Sequence, residues 1–529
     1  MELKVRRQHH RIGFWILSAR LAVEQGGHGT VSAPTAAAEI TTDSLLPWDD
    51  TGRPWIGGRF TEAAGPTVDD HAPATGERLA RVQLAAAEDV DAAVAAARAA
   101  QPAWAALSIR ERAERMEALA DRILATVDRI GRLDSRDTGS PLTPMTNGAR
   151  KGALYLKQIA GAALELQGRT IPASARGWHV TRREPWGVIG AITAYNHPTL
   201  YSCQKSGPAL IAGNTIVIKP SEQAPLSTLL FASLTEDLLP PGVLNVVPGH
   251  AEAGAALVAH RDVTRVSFTG SVATGLQIQR TIADSGRIKS LQLELGGKNP
   301  IVVFADADPA EAADATVRGM NFMRVQGQSC GSTSRLIVHR ELRDAVTEEI
   351  LTRVDKIRIG LPEAEGTQMG SLISPVHRDR VLGFVEAGKA DGGELLAGGG
   401  APADPALAGG AFVSPTVFAG VQLGHTLAQE EVFGPVLSIM TFTEDADAIE
   451  LANATEYGLT ASVWTRDIDR ALRAADAIEA GYVWVNDVET RYTGVPFGGF
   501  KQSGIGSEQS LLDDLEQCTR TKAVNIAVR

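Results

Sequence analysis

The sequence predicts an α/β protein of more than one domain, and three observations carry that reading. Short apolar stretches bounded by glycine, such as Val188-Ile189-Gly190-Ala191-Ile192 and Val266-Ser267-Phe268-Thr269-Gly270, alternate with segments whose apolar residues recur at helical spacing. The chain has 529 residues, more than one ordinary core can use, so two or three domains are expected. Hydrophobic residues make up 44% and charged residues 21%, which fills such cores and leaves a solvated surface.

Charge and cysteine usage narrow the class further. A formal net charge of −11 argues against nucleic acid or an anionic membrane as the main partner. Three widely spaced cysteines, Cys203, Cys330 and Cys518, suggest neither a disulfide framework nor a zinc site. A reducing, cytoplasmic setting is expected, and it would keep a reactive thiol alive. No run reaches the roughly 18 apolar residues of a membrane-spanning helix.

Taken in order, residues 1–50 stand apart. Lys4, Arg6, Arg7 and Arg11 precede a short apolar stretch from Ile12 to Leu17 that only faintly imitates a signal peptide, and a disordered extension is expected. Ala85 to Ala100 is alanine-rich and opens with Glu88, Asp89 and Asp91, acids that suit a helix N-terminus. Ser108-Ile109-Arg110-Glu111 reads as a capping box opening a helix that runs beyond Ile123. Residues 167–184 interrupt the α/β rhythm with a hairpin-like insertion, and an exposed strand edge of this kind is a natural place for pairing. The strand ending at Ile192 leads to Tyr195-Asn196-His197-Pro198, which puts Asn196 at a carboxyl end, the usual site position in an open α/β sheet. A second apolar strand ends at Lys219-Pro220-Ser221-Glu222, where Lys219 and Glu222 could be no more than a surface ion pair. A third ends at Thr269-Gly270-Ser271, without the common Gly-x-Gly-x-x-Gly fingerprint. The last residues, from Cys518 to Arg529, read as a final strand.

The chemistry concentrates at Val325-Gln326-Gly327-Gln328-Ser329-Cys330-Gly331. An isolated cysteine is usually an inert, buried small hydrophobe. Flanking glycines change that expectation, because they admit a bulky electrophile and expose amide N–H groups to a developing oxyanion. Upstream lies Glu294 in Leu293-Glu294-Leu295-Gly296-Gly297-Lys298-Asn299-Pro300. A thiol nucleophile and a carboxylate base suffice for covalent acyl chemistry if the fold brings them together.

These two segments, in this order, resemble the signature segments of the aldehyde dehydrogenase superfamily, and further matches run from about Gly58 to the C-terminus. The resemblance implies a Rossmann-type cofactor domain (51–166 and 186–296), an α/β catalytic domain (297–517) and a small β oligomerisation element (167–185 and 518–529) that would join a homodimer or homotetramer. It implies NAD(P)-dependent oxidation of an aldehyde to an acid through a cysteine thiohemiacetal and thioester. Cys330 would be the nucleophile, Glu294 the base and Asn196 an oxyanion donor beside the Cys330 N–H. Lys205 would serve proton relay or electrostatic support, and Glu508 water activation, although Ser507 replaces the usual Arg. On the cofactor side, Lys219 and Glu222 would hold the adenosine ribose, with Glu222 favouring NAD over NADP because a 2′-phosphate would meet like charge. Gly270 and Ser271 would approach the pyrophosphate. Glu431 would take the nicotinamide ribose, and Phe433 would pack beside the nicotinamide. No metal is implied.

Arg324 and Arg491 fall in regions that border the substrate entrance in that family, where Phe322, Tyr195 and Tyr492 are expected to flank an aromatic ring. An aromatic aldehyde or one carrying an acid group is therefore expected. A phosphorylated-sugar aldehyde, or a catalytically silent binding protein with the same fold, are the alternatives.

Overall fold

The structure, a computed structural model, describes residues 45–528. Its first sheet has the strand order Gly504–Ile505, Ser290–Glu294, Val263–Thr269, Val188–Ile192, Thr215–Lys219, Leu244–Val246, Trp55–Ile56 and Arg59–Phe60. From Ser290–Glu294 to Leu244–Val246 the strands run parallel. Helices cover both faces, which is why these strands read as nearly continuous apolar runs rather than alternating ones. The chain enters at Val188–Ile192, winds outward through Thr215–Lys219 and Leu244–Val246, then returns to the other side at Val263–Thr269. That reversal leaves a crevice at the carboxyl ends of the central strands.

The second sheet has the order Glu394–Ala397, Thr416–Ala419, Val436–Phe442, Arg335–His339, Pro300–Val303, Thr460–Trp464 and Tyr482–Val485. All pairs are parallel except that of Glu394–Ala397 with Thr416–Ala419. The third is small: Thr519–Ala527 pairs antiparallel with Gly177–Pro185 along its whole length, and Thr170–Ser174 completes the hairpin. The insertion and the last strand therefore meet within one chain, leaving Trp178, Ile171 and Ile526 exposed on a free-standing sheet.

Local expectations hold where the chemistry was strongest. The Ser108 Oγ accepts from the Glu111 N–H at 3.2 Å, and Glu111 accepts from the Ser108 N–H at 2.7 Å, opening the helix Ile109–Ala125. The alanine-rich segment forms the helix Ala87–Ala106.

Two boundaries move. The expected N-terminal extension mostly falls outside the described residues, but Leu45 and Leu46 are buried and the Arg129 guanidinium donates to the Leu45 carbonyl at 2.7 Å. Packing thus begins before residue 50. The segment after Gly504 also leaves the catalytic half, since Gly504–Ile505 pairs with Ser290–Glu294 and Leu515 enters the core of the cofactor half. A two-residue strand has no periodicity to read, so its sheet could not be assigned from the sequence. Among the described residues, no helix is long and apolar enough to cross a membrane.

Candidate active site

Cys330 lies in an irregular loop between the short helix Phe322–Val325 and the strand Arg335–His339. The loop turns sharply: Asn321, Gln326 and Gly327 have φ of 57°, 55° and 73°. A Cβ on Gly327 would lie 2.3 Å from the Gly434 carbonyl oxygen, so only glycine fits there. Asn299 holds the loop from the neighbouring strand. Its Nδ2 donates to the carbonyls of Cys330 (2.7 Å) and Ser332 (2.8 Å), and its Oδ1 accepts from the Thr460 N–H (3.0 Å). Gly297 permits this approach, since a side chain there would meet the Cys330 carbonyl at 2.7 Å. Asn299 stood in a recognised motif without a role; only the long-range hydrogen bonds reveal it.

Asn196 follows the strand Val188–Ile192, and its Nδ2 donates to the Gln328 carbonyl at 2.8 Å. An amide nitrogen has two hydrogens, so one is left for a ligand oxygen near Cys330. Glu294 ends the strand Ser290–Glu294, is buried, and has no hydrogen-bond partner on either carboxylate oxygen. Burial pushes its pKa up to about 8, against the pull of Lys205 and Arg491. The Cys330 thiol is also raised by burial, partly offset by the Arg491 guanidinium beside it. Behind Glu294, Lys205 and Glu508 form a direct buried ion pair. Burial lowers Lys205 to about 8. They line a separate small cavity with Asp514 and Arg265.

Cys330, Glu294 and Asn196 all face one cleft of about 770 Å³ at the strand ends of the first sheet. Lys219, Glu222, Gly270, Ser271, Glu431 and Phe433 line the same cleft. The Lys219 Nζ is 3.5 Å from Glu222, so the two expected ribose contacts adjoin. Ser271 caps the helix Val272–Asp284, accepting from the Thr274 N–H at 3.3 Å, and leaves that N-terminus open to the cleft. Glu431 accepts from the Gly297 N–H at 3.0 Å and is raised by burial to about 7. Phe433 has φ of 54° and stacks edgewise on Tyr195 at 6.0 Å, so it is a cleft wall rather than ordinary core. A dinucleotide fits this lining: an acid and a lysine side by side, an anion-favouring helix end, and a second, buried acid near the thiol.

The substrate side corrects part of the sequence reading. Phe322 is fully buried in the catalytic core and cannot flank a ligand. Tyr195 faces Phe433 and His377 in the dinucleotide cleft, and Tyr492 is exposed. These three rings form no aromatic box; for Phe322, sequence proximity to Cys330 says nothing about which side of the loop the ring takes. Arg324 and Arg491, by contrast, do gather near Cys330: Arg491 acts directly on the thiol, and the two guanidiniums act on each other. Two further neighbours, Lys151 and His197, interact with both arginines.

A glycine-cradled thiol, a buried carboxylate and an amide donor at the mouth of a dinucleotide-type crevice define the class: a cysteine-dependent aldehyde-oxidising enzyme fold. The chain belongs to the aldehyde dehydrogenase family, whose sequence model matches residues 60–524. Among solved structures it is similar to PnpE from Pseudomonas sp. WBC-3, with 40% identity over 90% of this chain and 98% of that one and a TM-score of 0.87. PnpE has also been solved in complex with nicotinamide adenine dinucleotide. An aldehyde dehydrogenase from Bacillus cereus, solved with NAD+, is 38% identical over 92% and 98% of the two chains, with a TM-score of 0.87. A betaine aldehyde dehydrogenase from Staphylococcus aureus, solved with NAD+, is 34% identical over 89% and 96%, with a TM-score of 0.86.

Proposed function

We propose that this enzyme oxidises an aldehyde to a carboxylic acid with NAD, using Cys330 as nucleophile and Glu294 as base. The observation that carries the reading is the convergence of Cys330, Glu294 and Asn196 on the cleft that also holds Glu222 and Glu431. NAD complexes of similar enzymes support the cofactor, and the Glu222 carboxylate beside Lys219 favours NAD over NADP. When bound, the nicotinamide supplies the hydride acceptor that turns the thiohemiacetal into a thioester.

The protein's part is then as follows. The Cys330 thiolate attacks the carbonyl carbon, and the carbonyl electron pair moves to oxygen. Asn196 Nδ2 and the Cys330 N–H hold that oxyanion. Glu294 takes a proton from water, whose oxygen attacks the thioester; the C–S bond breaks and returns the thiolate. Lys205 stabilises the ionised base, and its pairing with Glu508 gives the proton a way out. An acid-bearing aldehyde is favoured over an aromatic one, since Arg491 lies beside the thiol with Arg324 next to it, whereas Phe322 is buried in the core. A phosphorylated-sugar aldehyde would use the same cations. A silent binding protein is disfavoured by the complete set of reacting groups in one cleft.

The test is NADH formation at 340 nm over a panel of neutral, carboxylated and phosphorylated aldehydes, with Cys330→Ala as control. Activity that disappears in Cys330→Ala is expected; turnover that survives the substitution would overturn the nucleophile assignment.

A further inference from the structure

Outside the lining of the dinucleotide cleft, Lys151 and Arg324 gather around Arg491, the cation that lies beside Cys330. Lys151 comes from the helix Leu142–Gly161, Arg324 from the helix Phe322–Val325 and Arg491 from the loop before Pro496. Three separate segments thus bring like charge to one place. Lys151 and Arg324 share Glu489 as an acidic neighbour, and it is itself paired with Arg318 at 3.4 Å. Among the described residues, none of these three cations has a carboxylate within ion-pair distance. Apart from the action of Arg491 on the Glu294 carboxylate, these like charges gather without a paired counter-ion, which costs free energy in a folded protein, so the arrangement calls for an anion supplied from outside.

Two further details give the cluster a direction. The Arg491 guanidinium carbon lies 3.5 Å from the centre of the Phe497 ring, and its Nη2 would sit 2.8 Å from any side chain added at Gly331. The guanidinium is therefore clamped between an aromatic face and the backbone next to the nucleophile. His197, one residue after Asn196, has a buried Nδ1 with no hydrogen-bond partner, 3.9 Å from where a Cβ on Gly148 would stand. Burial and the three cations keep this imidazole neutral, far below its ordinary pKa. A neutral imidazole can donate one hydrogen bond without adding to the repulsion.

We propose that Lys151, His197, Arg324 and Arg491 form a carboxylate anchor, so that the substrate is the semialdehyde of a short dicarboxylic acid. The aldehyde lies at Cys330 and the acid group among these four side chains. The proposal rests on the aldehyde-oxidation reading above and adds to it Lys151 and His197 as specificity residues. Arginine offers a planar fork that matches a carboxylate, while Lys151 contributes a flexible point charge. Since Arg491 is held beside the Cys330 loop, the anchor suits a short spacer between aldehyde and acid rather than a long chain.

The experiment compares kcat/KM for succinic and glutaric semialdehydes, their methyl esters, and glyceraldehyde 3-phosphate, in the full-length enzyme with NAD. The free acids are expected to exceed their esters by about 10-fold or more, chiefly through KM. Lys151→Met, Arg324→Met and His197→Phe should each reduce the acid-to-ester ratio, by on the order of 10-fold for the cations, and Lys151→Arg should restore most of it. As a readout independent of turnover, glutarate should bind more tightly than butyrate by isothermal titration, and Arg324→Met should remove the difference. A ratio near one in the wild type, variants that lower both substrates equally, or preference for the phosphate ester would overturn the carboxylate anchor. If the neutral esters are oxidised through Cys330 in those cases, aldehyde oxidation stands and the anchor alone fails. If no aldehyde is oxidised at all, both readings fall.

Discussion

As the proposed base, Glu294 joins two demands that normally conflict. A base must be ionised, yet this carboxylate sits buried without a hydrogen-bond partner, and its pKa rises to about 8. At neutral pH most of it is protonated, and the ionised fraction grows as pH rises through about 8. Thioester hydrolysis should rise with pH over that window wherever it limits turnover. The Cys330 thiol is raised too, so the two must be separated in time. A stopped-flow burst of NADH reports acylation, and the following steady state reports hydrolysis. Glu294→Gln should leave a burst near one equivalent while cutting the steady-state rate by about 10²–10⁴-fold and flattening its pH profile. Loss of burst and steady state together would assign Glu294 to thiol activation instead. Asn196→Ala, by contrast, should slow the burst itself, by about 10²–10³-fold, because it removes an oxyanion donor.

At the scale of elements, Cys330 is held by a loop that makes no regular structure of its own. Asn299 ties it to the adjoining strand, and Gly327 lets it pass under Gly434. Gly327→Ala places a methyl group where a carbonyl oxygen lies 2.3 Å away, at a φ of 73° that alanine disfavours. It should destabilise the fold by about 1–3 kcal/mol and reduce kcat by about 10-fold or more, with smaller change in the KM for NAD. Differential scanning fluorimetry with steady-state kinetics checks both; unchanged kcat would show that the loop tolerates displacement. This loop was legible in the sequence because its glycines flank the cysteine directly. Asn299 was not, since its partners Ser332 and Thr460 lie far along the chain. Phe322 was misread for the same reason: position near Cys330 gave no hint that the ring turns into the core.

Across the whole molecule, the cofactor half carries a buried acid cluster unconnected to the reaction. Asp134 lies on the helix Val127–Thr138 beneath Ser227 and Thr199, raised by burial to about 7. Asp70 and Asp137 face each other nearby, the first raised to about 7. In the unfolded chain Asp134 titrates near 3.8, so the native state binds the extra proton between about pH 4 and 7. Its contribution therefore falls as pH rises across that window, by up to ~1.4 kcal/mol per pH unit. Asp134→Asn should flatten the dependence of urea-unfolding stability on pH there. An unaltered slope would mean that Asp134 is ionised in the native state.

By itself the sequence determined the α/β class, the family, and the motifs holding Cys330, Glu294 and Asn196, because those features are local: periodicity, glycine placement and short ordered segments. Only the tertiary structure decided what meets at the site. The pairing of Gly504–Ile505 with the cofactor sheet, the grip of Asn299 on the cysteine loop, and the gathering of Lys151, His197, Arg324 and Arg491 all join residues remote in sequence. Each of those side chains alone reads as ordinary surface or turn chemistry. Their meaning comes from close approach, and close approach is fixed by packing two sheets against their helices, which no single stretch of chain encodes.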